Sequence, residues 1–370
     1  MLSQFGSRIL AVLACLLLVA CAVWVVVHLT SPRRSSDDYA PKDRVLNYFD
    51  ANELGLPLAV CPEGKQLVAA GFRRLTWVTD WDDRSCTAAS VQELDFGEKV
   101  DAAAFCGDGR RVAVYARSPA QDTLAVLEPR TRQVLKKWPA PRSIYTPELR
   151  LSHDGAVLAM NPVEPAGRSK HLEAVTVWDT STGQLLGSVP TPHGLYLTDF
   201  VLCRGRVLLA YLRLPDYKEI RIFESPAPYA QARPVSSIAA PGAMIFYGAR
   251  FSADGARLAV TSHHAQPLKV YAVSDGHLIA EFEKPHYGVM TAVFPGFALS
   301  PSGRFAAASN SGGTITLWSV ASARELCTLE GRRYDGVHEL VFGPNDTTLI
   351  SRDSHAVVVW DIHDLVARNR

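Results

Sequence analysis

Between Leu58 and Ser351 the chain repeats one alternation of apolar and polar positions seven times. A short apolar run enters a small turn that ends in Gly, and a second apolar run leaves it. The copies read LAVCPEGKQLVAA, AAFCGDGRRVAV, LRLSHDGAVLAM, FVLCRGRVLLA, ARFSADGARLAV, FALSPSGRFAAA and LVFGPNDTTLIS. The turn glycines are Gly64, Gly109, Gly155, Gly205, Gly255 and Gly303, with Asp346 in that place in the last copy; the gaps are 45, 46, 50, 50, 48 and 43 residues. A fixed period of this length predicts repeated units that bury their apolar faces only against neighbouring units. The expectation is a closed ring of small sheets.

The third copy shows the unit most clearly. Leu149–Leu151 and Val157–Met160 alternate on either side of Ser152-His153-Asp154-Gly155. Ala174–Trp178 alternates again, Asp179–Gly183 turns, and Gln184–Val189 forms a fourth run. Short alternating runs bounded by Asp, Gly and Ser turns predict antiparallel strands joined by hairpins, four to a sheet. Arg44–Phe49 is an orphan run before the first copy, and the last copy lacks a fourth run of its own. If residues 44–49 supply it, both termini join one sheet and no edge stays open there; the alternative, in so short a run, is a helical continuation of the segment before it.

These residues resemble the WD-repeat β-propeller family. Trp178-Asp179 and Trp360-Asp361 match that family's third-strand ending; Trp318-Ser319, Tyr271-Ala272 and Phe223-Glu224 are degenerate versions, and LSHDG, FSADG and LSPSG are its first-turn pattern. No Gly-His dipeptide precedes the first strands. The family's His–Asp–Ser/Thr–Trp hydrogen-bond network is therefore expected to be incomplete in most blades. The predicted fold is all-β: a seven-bladed β-propeller of four-stranded antiparallel blades over residues 44–370, closed by residues 44–49 and preceded by one transmembrane helix.

That helix is placed at residues 9–29, ILAVLACLLLVACAVWVVVHL, which carry no formal charge. At about 1.5 Å per residue such a helix spans roughly 30 Å of hydrocarbon. Residues 1–8 form its N-terminal flank and residues 30–43 a polar linker. An uncleaved anchor fits best, because the apolar run continues past Ala20 and Ala22. Two alternatives are a cleaved signal and a lipoprotein with Cys21 modified, since Leu18-Val19-Ala20-Cys21 resembles a lipobox. Arg8 on one flank and Arg33, Arg34, Lys42 and Arg44 on the other leave the side of the membrane undecided.

The net charge is +1, and beyond residue 30 there are 37 basic and 37 acidic residues. So balanced a chain has no general field for nucleic acid, and none is expected as a partner. The seven cysteines are scattered without CxxC spacing, which predicts neither a disulfide framework nor a zinc site. No cofactor or metal is expected: there is no GxSxG, phosphate loop or HExxH, and His263-His264 has no carboxylate or Cys at ligand spacing. Asn345-Asp346-Thr347 is a formal glycosylation sequon. Inward positions read as small and apolar, so no catalytic set is assembled.

One constellation stands out. The loops entering the first strands of five successive repeats each carry a tyrosine, often beside a cation or His: Arg142 with Tyr145, His193 with Tyr196, Tyr247, His286 with Tyr287, and Arg332 and Arg333 with Tyr334. In a propeller these loops share one face. Tyr and Arg are enriched where interfaces hold most of their binding energy, so these ten residues are the expected protein-binding rim. The alternative is that each ring packs between blades. The leading functional expectation is a non-enzymatic, membrane-anchored interaction scaffold. The alternatives are a lactonase- or hydrolase-like envelope enzyme and a ligand-sensing propeller, each with its site at the central channel.

Overall fold

The computed structural model describes residues 45–368, except 51–57, 61–65, 71–73, 80–90, 96, 144–145, 162–173, 243–244, 263–267, 283–295, 311–312, 331–336, 338, 344–345 and 354–355. The chain separates into two units, Met1–Lys42 and Asp43–Arg370, and every described element belongs to the second.

Strand β1 (Val45–Asp50) precedes the repeats. Blade 1 holds β2 (Leu58–Val60), β3 (Gln66–Ala70), β4 (Arg74–Thr79) and β5 (Val91–Asp95). Blade 2 holds β6 (Lys99–Phe105), β7 (Val112–Arg117), β8 (Thr123–Leu127) and β9 (Val134–Pro139). Blade 3 holds β10 (Glu148–Leu151), β11 (Val157–Asn161), β12 (Ala174–Asp179) and β13 (Leu185–Pro190). Blade 4 holds β14 (Leu195–Cys203), β15 (Arg206–Arg213), β16 (Glu219–Pro226) and β17 (Arg233–Ala239). Blade 5 holds β18 (Phe246–Phe251), β19 (Arg257–Ser262), β20 (Leu268–Ala272) and β21 (Leu278–Phe282). Blade 6 holds β22 (Phe297–Leu299), β23 (Phe305–Ser309), β24 (Thr314–Ser319) and β25 (Arg324–Glu330). Blade 7 holds β26 (Glu339–Phe342), β27 (Thr348–Arg352) and β28 (Ala356–Asp361), with α1 (His363–Arg368) after it.

Each of the seven sheets has four antiparallel strands. Blades 1–6 run in chain order, whereas blade 7 has the order β1-β28-β27-β26. Its outer strand is therefore the N-terminal one, with Val45 opposite Trp360 and Phe49 opposite Val357. The first strand of each blade packs beside the first strand of the next, from β2 through β26, so these are the inner strands of a β-propeller.

The core lies between successive blades because each sheet buries both faces. Tyr115, Leu124 and Val126 of blade 2 pack on Leu149, Leu158 and Met160 of blade 3. Val175 and Val177 of blade 3 pack in turn on Phe200, Leu209 and Tyr211 of blade 4. The central strands accordingly read as continuous apolar runs, as in VAVYA of β7 and FAAAS of β23.

Hairpin glycines join the blades as well as turning the chain. Gly155 has φ +69°, and a Cβ there would stand 2.8 Å from Arg111 Cδ of blade 2. Arg111 Nη1 donates to Gly155 O (3.0 Å) and to Thr180 Oγ1 (2.8 Å). Gly303 has φ +68° and stands in the same relation to Arg257, which donates to its carbonyl. The glycine thus supplies both a left-handed turn and room for the neighbour's arginine. Of the network expected from the resemblance, the last blade keeps a portion: Trp360 Nε1 donates to Ser351 Oγ at 2.8 Å. Trp77, Trp138 and Trp178 bury indole N–H groups that have no hydrogen-bond partner.

A bulge recurs at the start of the outer strand in blades 2–6, giving the outer strand one residue too many for its partner. The extra residue is always apolar: Leu135, Leu186, Val235, Ile279 or Leu326. A bulge re-aims a side chain, which here sets what the rim displays.

The expected fold is corrected in its helix. Among the described residues no helix is long and apolar enough to cross a membrane. The one helix among them, α1, has six residues and an acidic first turn. At 1.5 Å per residue it is about 9 Å long, against roughly 30 Å of hydrocarbon. Residues 9–29, where the anchor was placed, lie outside the described residues.

Candidate interaction surface

The crossing from β13 to β14 turns at Gly194, with φ +78° and Leu195 N donating to Pro192 O at 3.2 Å. The turn leaves His193 exposed on the connection and Tyr196 exposed at the start of β14. The loop from β15 to β16 reaches the same edge, where Leu214 N donates to Gly194 O at 2.8 Å. Arg213 fixes that loop by ion pairs to Asp216 (2.5 Å) and Glu219 (3.1 Å). Tyr217 O then accepts from Phe246 N of blade 5 at 2.8 Å. Two connections of blade 4 and the start of blade 5 are locked together, presenting Tyr196 (49% exposed), Leu214 (37%) and Tyr217 (41%). Large side chains on a fixed backbone lose little freedom on contact, which suits a binding surface.

Of the expected rim, Arg142, His193, Tyr196 and Tyr247 fall within the described residues. His193 and Tyr196 belong to the patch. Tyr247 is half-buried on β18, next to Phe246, and Arg142 is exposed beside Ser143, whose N–H donates to Tyr115 Oη at 3.0 Å. Tyr145, His286, Tyr287, Arg332, Arg333 and Tyr334 lie outside the described residues, as do His263, His264 and Asn345. Leu214 and Tyr217 were not anticipated. They sit on a second connection at the same edge, between β15 and β16, and the one sequence signal was the Leu-Pro-Asp-Tyr turn at 214–217.

Beneath the patch the inner strands carry charge, which corrects the reading of inward positions as small and apolar. Asp199 is buried and accepts from Arg150 Nη2 of blade 3 at 3.0 Å and from Phe251 N of blade 5 at 2.7 Å. Arg250 of blade 5 stands 3.7 Å from Asp199 and 3.7 Å from Glu148 of blade 3. A contact from blade 3 to blade 5 skips the blade between and places these groups close to the axis. Arg150 lies over the Phe200 ring (5.5 Å) and Arg250 over the Phe297 ring (5.9 Å).

Burial raises the Asp199 carboxyl above its ordinary range, against the pull of Arg150 and Arg250. Burial likewise raises Glu339 on β26, with Arg352 and Arg250 opposing. Arg352 itself is lowered by burial. The sequence held a trace of this cluster: Arg150 and Arg250 occupy one position of the repeat, in LRLSHDG and ARFSADG. Among the described residues no group of three His, Cys, Asp or Glu side chains could hold a metal.

No family model matches the chain. Over 77 residues it is 31% identical to the small ribosomal subunit protein RACK1z of Arabidopsis thaliana; the match covers 21% of this chain and 22% of that protein. Four-stranded blades, Asp-Gly hairpins, a surviving Trp–Ser hydrogen bond and this short similarity are together consistent with a propeller of the WD-repeat family.

Proposed function

We propose that this protein is a non-enzymatic scaffold that binds other proteins through the loop face at blades 4 and 5. A β-propeller with weak similarity to a WD-repeat protein fits an interaction role. The observation that carries the location is the Leu214 N–H to Gly194 O bond, which draws Tyr196, Leu214 and Tyr217 into one exposed apolar patch. Aromatic side chains at the centre of such patches contribute much of an interface's energy.

The test compares proteins cross-linked to the full-length chain with those cross-linked to a Tyr196→Ser, Leu214→Ser, Tyr217→Ser variant. All three are surface side chains, so the unfolding midpoint stays near that of the parent. The proposal expects a specific set of partners to disappear from the variant. Retention of the whole set overturns it.

A second reading, a ligand site in the channel, draws on Glu148 and Arg250, which remain partly accessible near the axis. Glu148→Gln and Arg250→Ala would then abolish ligand binding while leaving the cross-linked set intact.

Membrane location belongs to the proposal through the uncharged composition of residues 9–29, with lipid attachment at Cys21 as its alternative. Fractionation of cells in alkaline carbonate tests both: protein released with the soluble fraction refutes membrane location, and loss of the membrane-bound pool on Cys21→Ala selects lipidation.

A further inference from the structure

A second surface, away from the loop face, lies on the outer rim of blades 2 and 3. In blades 4, 5 and 6 the bulge residues Val235, Ile279 and Leu326 are partly buried. In blades 2 and 3 the bulge residue and the one before it are both exposed: Val134 (42%) and Leu135 (49%), Leu185 (52%) and Leu186 (39%). The two strands are neighbours, since a Cβ on Gly183, two residues before Leu185, would lie 3.1 Å from the Trp138 ring of β9.

The charge around these side chains is one-sided. From Arg130 to Lys137 the chain reads RTRQVLKK, four cations with no acid, in a protein whose charges otherwise balance. Of the nearest acids, Glu128 accepts from Thr131 Oγ1 at 2.6 Å, and Glu98 pairs with Lys137 at 3.2 Å, so the cations considered for the surface are Arg132 and Lys136. The rims of blades 4 and 5 lack this surplus. In blade 4 Arg233 is paired with Glu224 (2.7 Å), and in blade 5 His277 is held by Asp275 (2.6 Å).

We propose that the rim formed by Val134, Leu135, Leu185 and Leu186, with Arg132 and Lys136 beside them, docks an acidic segment of a partner protein that carries apolar side chains. Strands β9 and β13 are the outermost strands of their sheets, so their outer edges offer backbone groups to an extended peptide. A bilayer has no backbone with which to pair them. Single-stranded nucleic acid favours exposed aromatic platforms, and the side chains displayed here are aliphatic. A peptide alternating acid and apolar residues matches the cations, the leucines and the strand edge together.

The probe is a short synthetic peptide alternating glutamate and valine, titrated against the full-length chain by fluorescence anisotropy, with a lysine–valine peptide as the charge control. The acidic peptide binds, and added salt weakens it. Leu135→Ser with Leu186→Ser, and separately Arg132→Glu with Lys136→Glu, each lower its affinity by about tenfold or more. These side chains are on the surface, so circular dichroism and the unfolding midpoint stay at parent values. Affinity equal to the parent's in either variant overturns the proposal, as does equal binding of the lysine peptide. Binding of vesicles rich in anionic lipid, or of a single-stranded oligonucleotide, without binding of the acidic peptide also overturns it.

Discussion

Asp346 of blade 7 accepts a hydrogen bond from the Ser302 hydroxyl of blade 6 and lies 3.4 Å from Arg304 Nη2 of that blade. It stands where the other repeats have glycine, keeps that glycine's turn (φ +60°), and is buried. The exceptional residue of the repeat is thus an acceptor for the neighbouring blade, in a place where Gly155 and Gly303 offer only a carbonyl.

Replacing Asp346 by Ala removes that acceptor and keeps the unfavourable φ, so it should lower stability by about 2 kcal/mol or more. Asp346→Gly should cost less, because glycine takes φ +60° freely. Urea unfolding of the two variants checks the order, and equal losses would refute it.

Gly155→Ala should cost more than Gly97→Ala. Both have positive φ, worth about 1–2 kcal/mol against an L residue. A Cβ at Gly97 meets nothing within 4 Å, whereas one at Gly155 meets Arg111. Shortening Arg111 to Ala in the Gly155→Ala background should recover part of the difference, measured as a double-mutant cycle.

Asp199 should make the fold less stable as pH rises. Its folded carboxyl is raised by burial, so the folded state holds its proton more tightly than the unfolded chain. The contribution is complete below the ordinary carboxylate range, near pH 4, and is lost as pH climbs through the raised value. The amide of an Asp199→Asn variant would not titrate but would keep an oxygen for Phe251 N–H. The parent should therefore lose stability relative to Asp199→Asn as pH rises above about 4, read from unfolding midpoints. Arg150, Arg250 and Glu148 act on the same carboxyl, and a flat difference would refute the prediction.

Asp179 should act in the opposite sense. Ser181 and Thr182 hold its carboxyl down at about 2 by donating hydroxyl and backbone N–H groups to Oδ1. That stabilisation is present above the ordinary carboxylate value and disappears as pH falls toward about 2. The advantage of the parent over Asp179→Asn should narrow on acidification, followed by the same unfolding midpoints.

Much of a blade was legible in the sequence because two local signals coincide in it. In the third repeat the alternation predicted runs at 149–151, 157–160, 174–178 and 184–189, and the strands are Glu148–Leu151, Val157–Asn161, Ala174–Asp179 and Leu185–Pro190. Turn residues limit strand length, so the ends could be read closely. The candidate surface was only half legible. His193 and Tyr196 recur in the loops that enter repeats, but Leu214 and Tyr217 belong to a connection without repeat, reached by a hydrogen bond that no spacing encodes. Arg150, Asp199 and Arg250 escaped notice because an arginine in an alternating strand reads as solvated, and only closure of the blades around an axis brings such groups together. The bulges were illegible for a further reason: Leu135 and Leu186 look like ordinary strand residues until the register of the neighbouring strand is known.

Pairing β1 with β28 also has a consequence for biosynthesis. Val45–Asp50 leaves the ribosome before its partner, which is made only after six complete sheets have been translated. Until then an apolar ribbon waits with both edges open, and the nascent chain is exposed to mispairing throughout. A messenger truncated anywhere before residue 356 would yield a product whose first strand has no home. Such fragments should be degraded or held by chaperones, whatever the stability of the sheets they do contain.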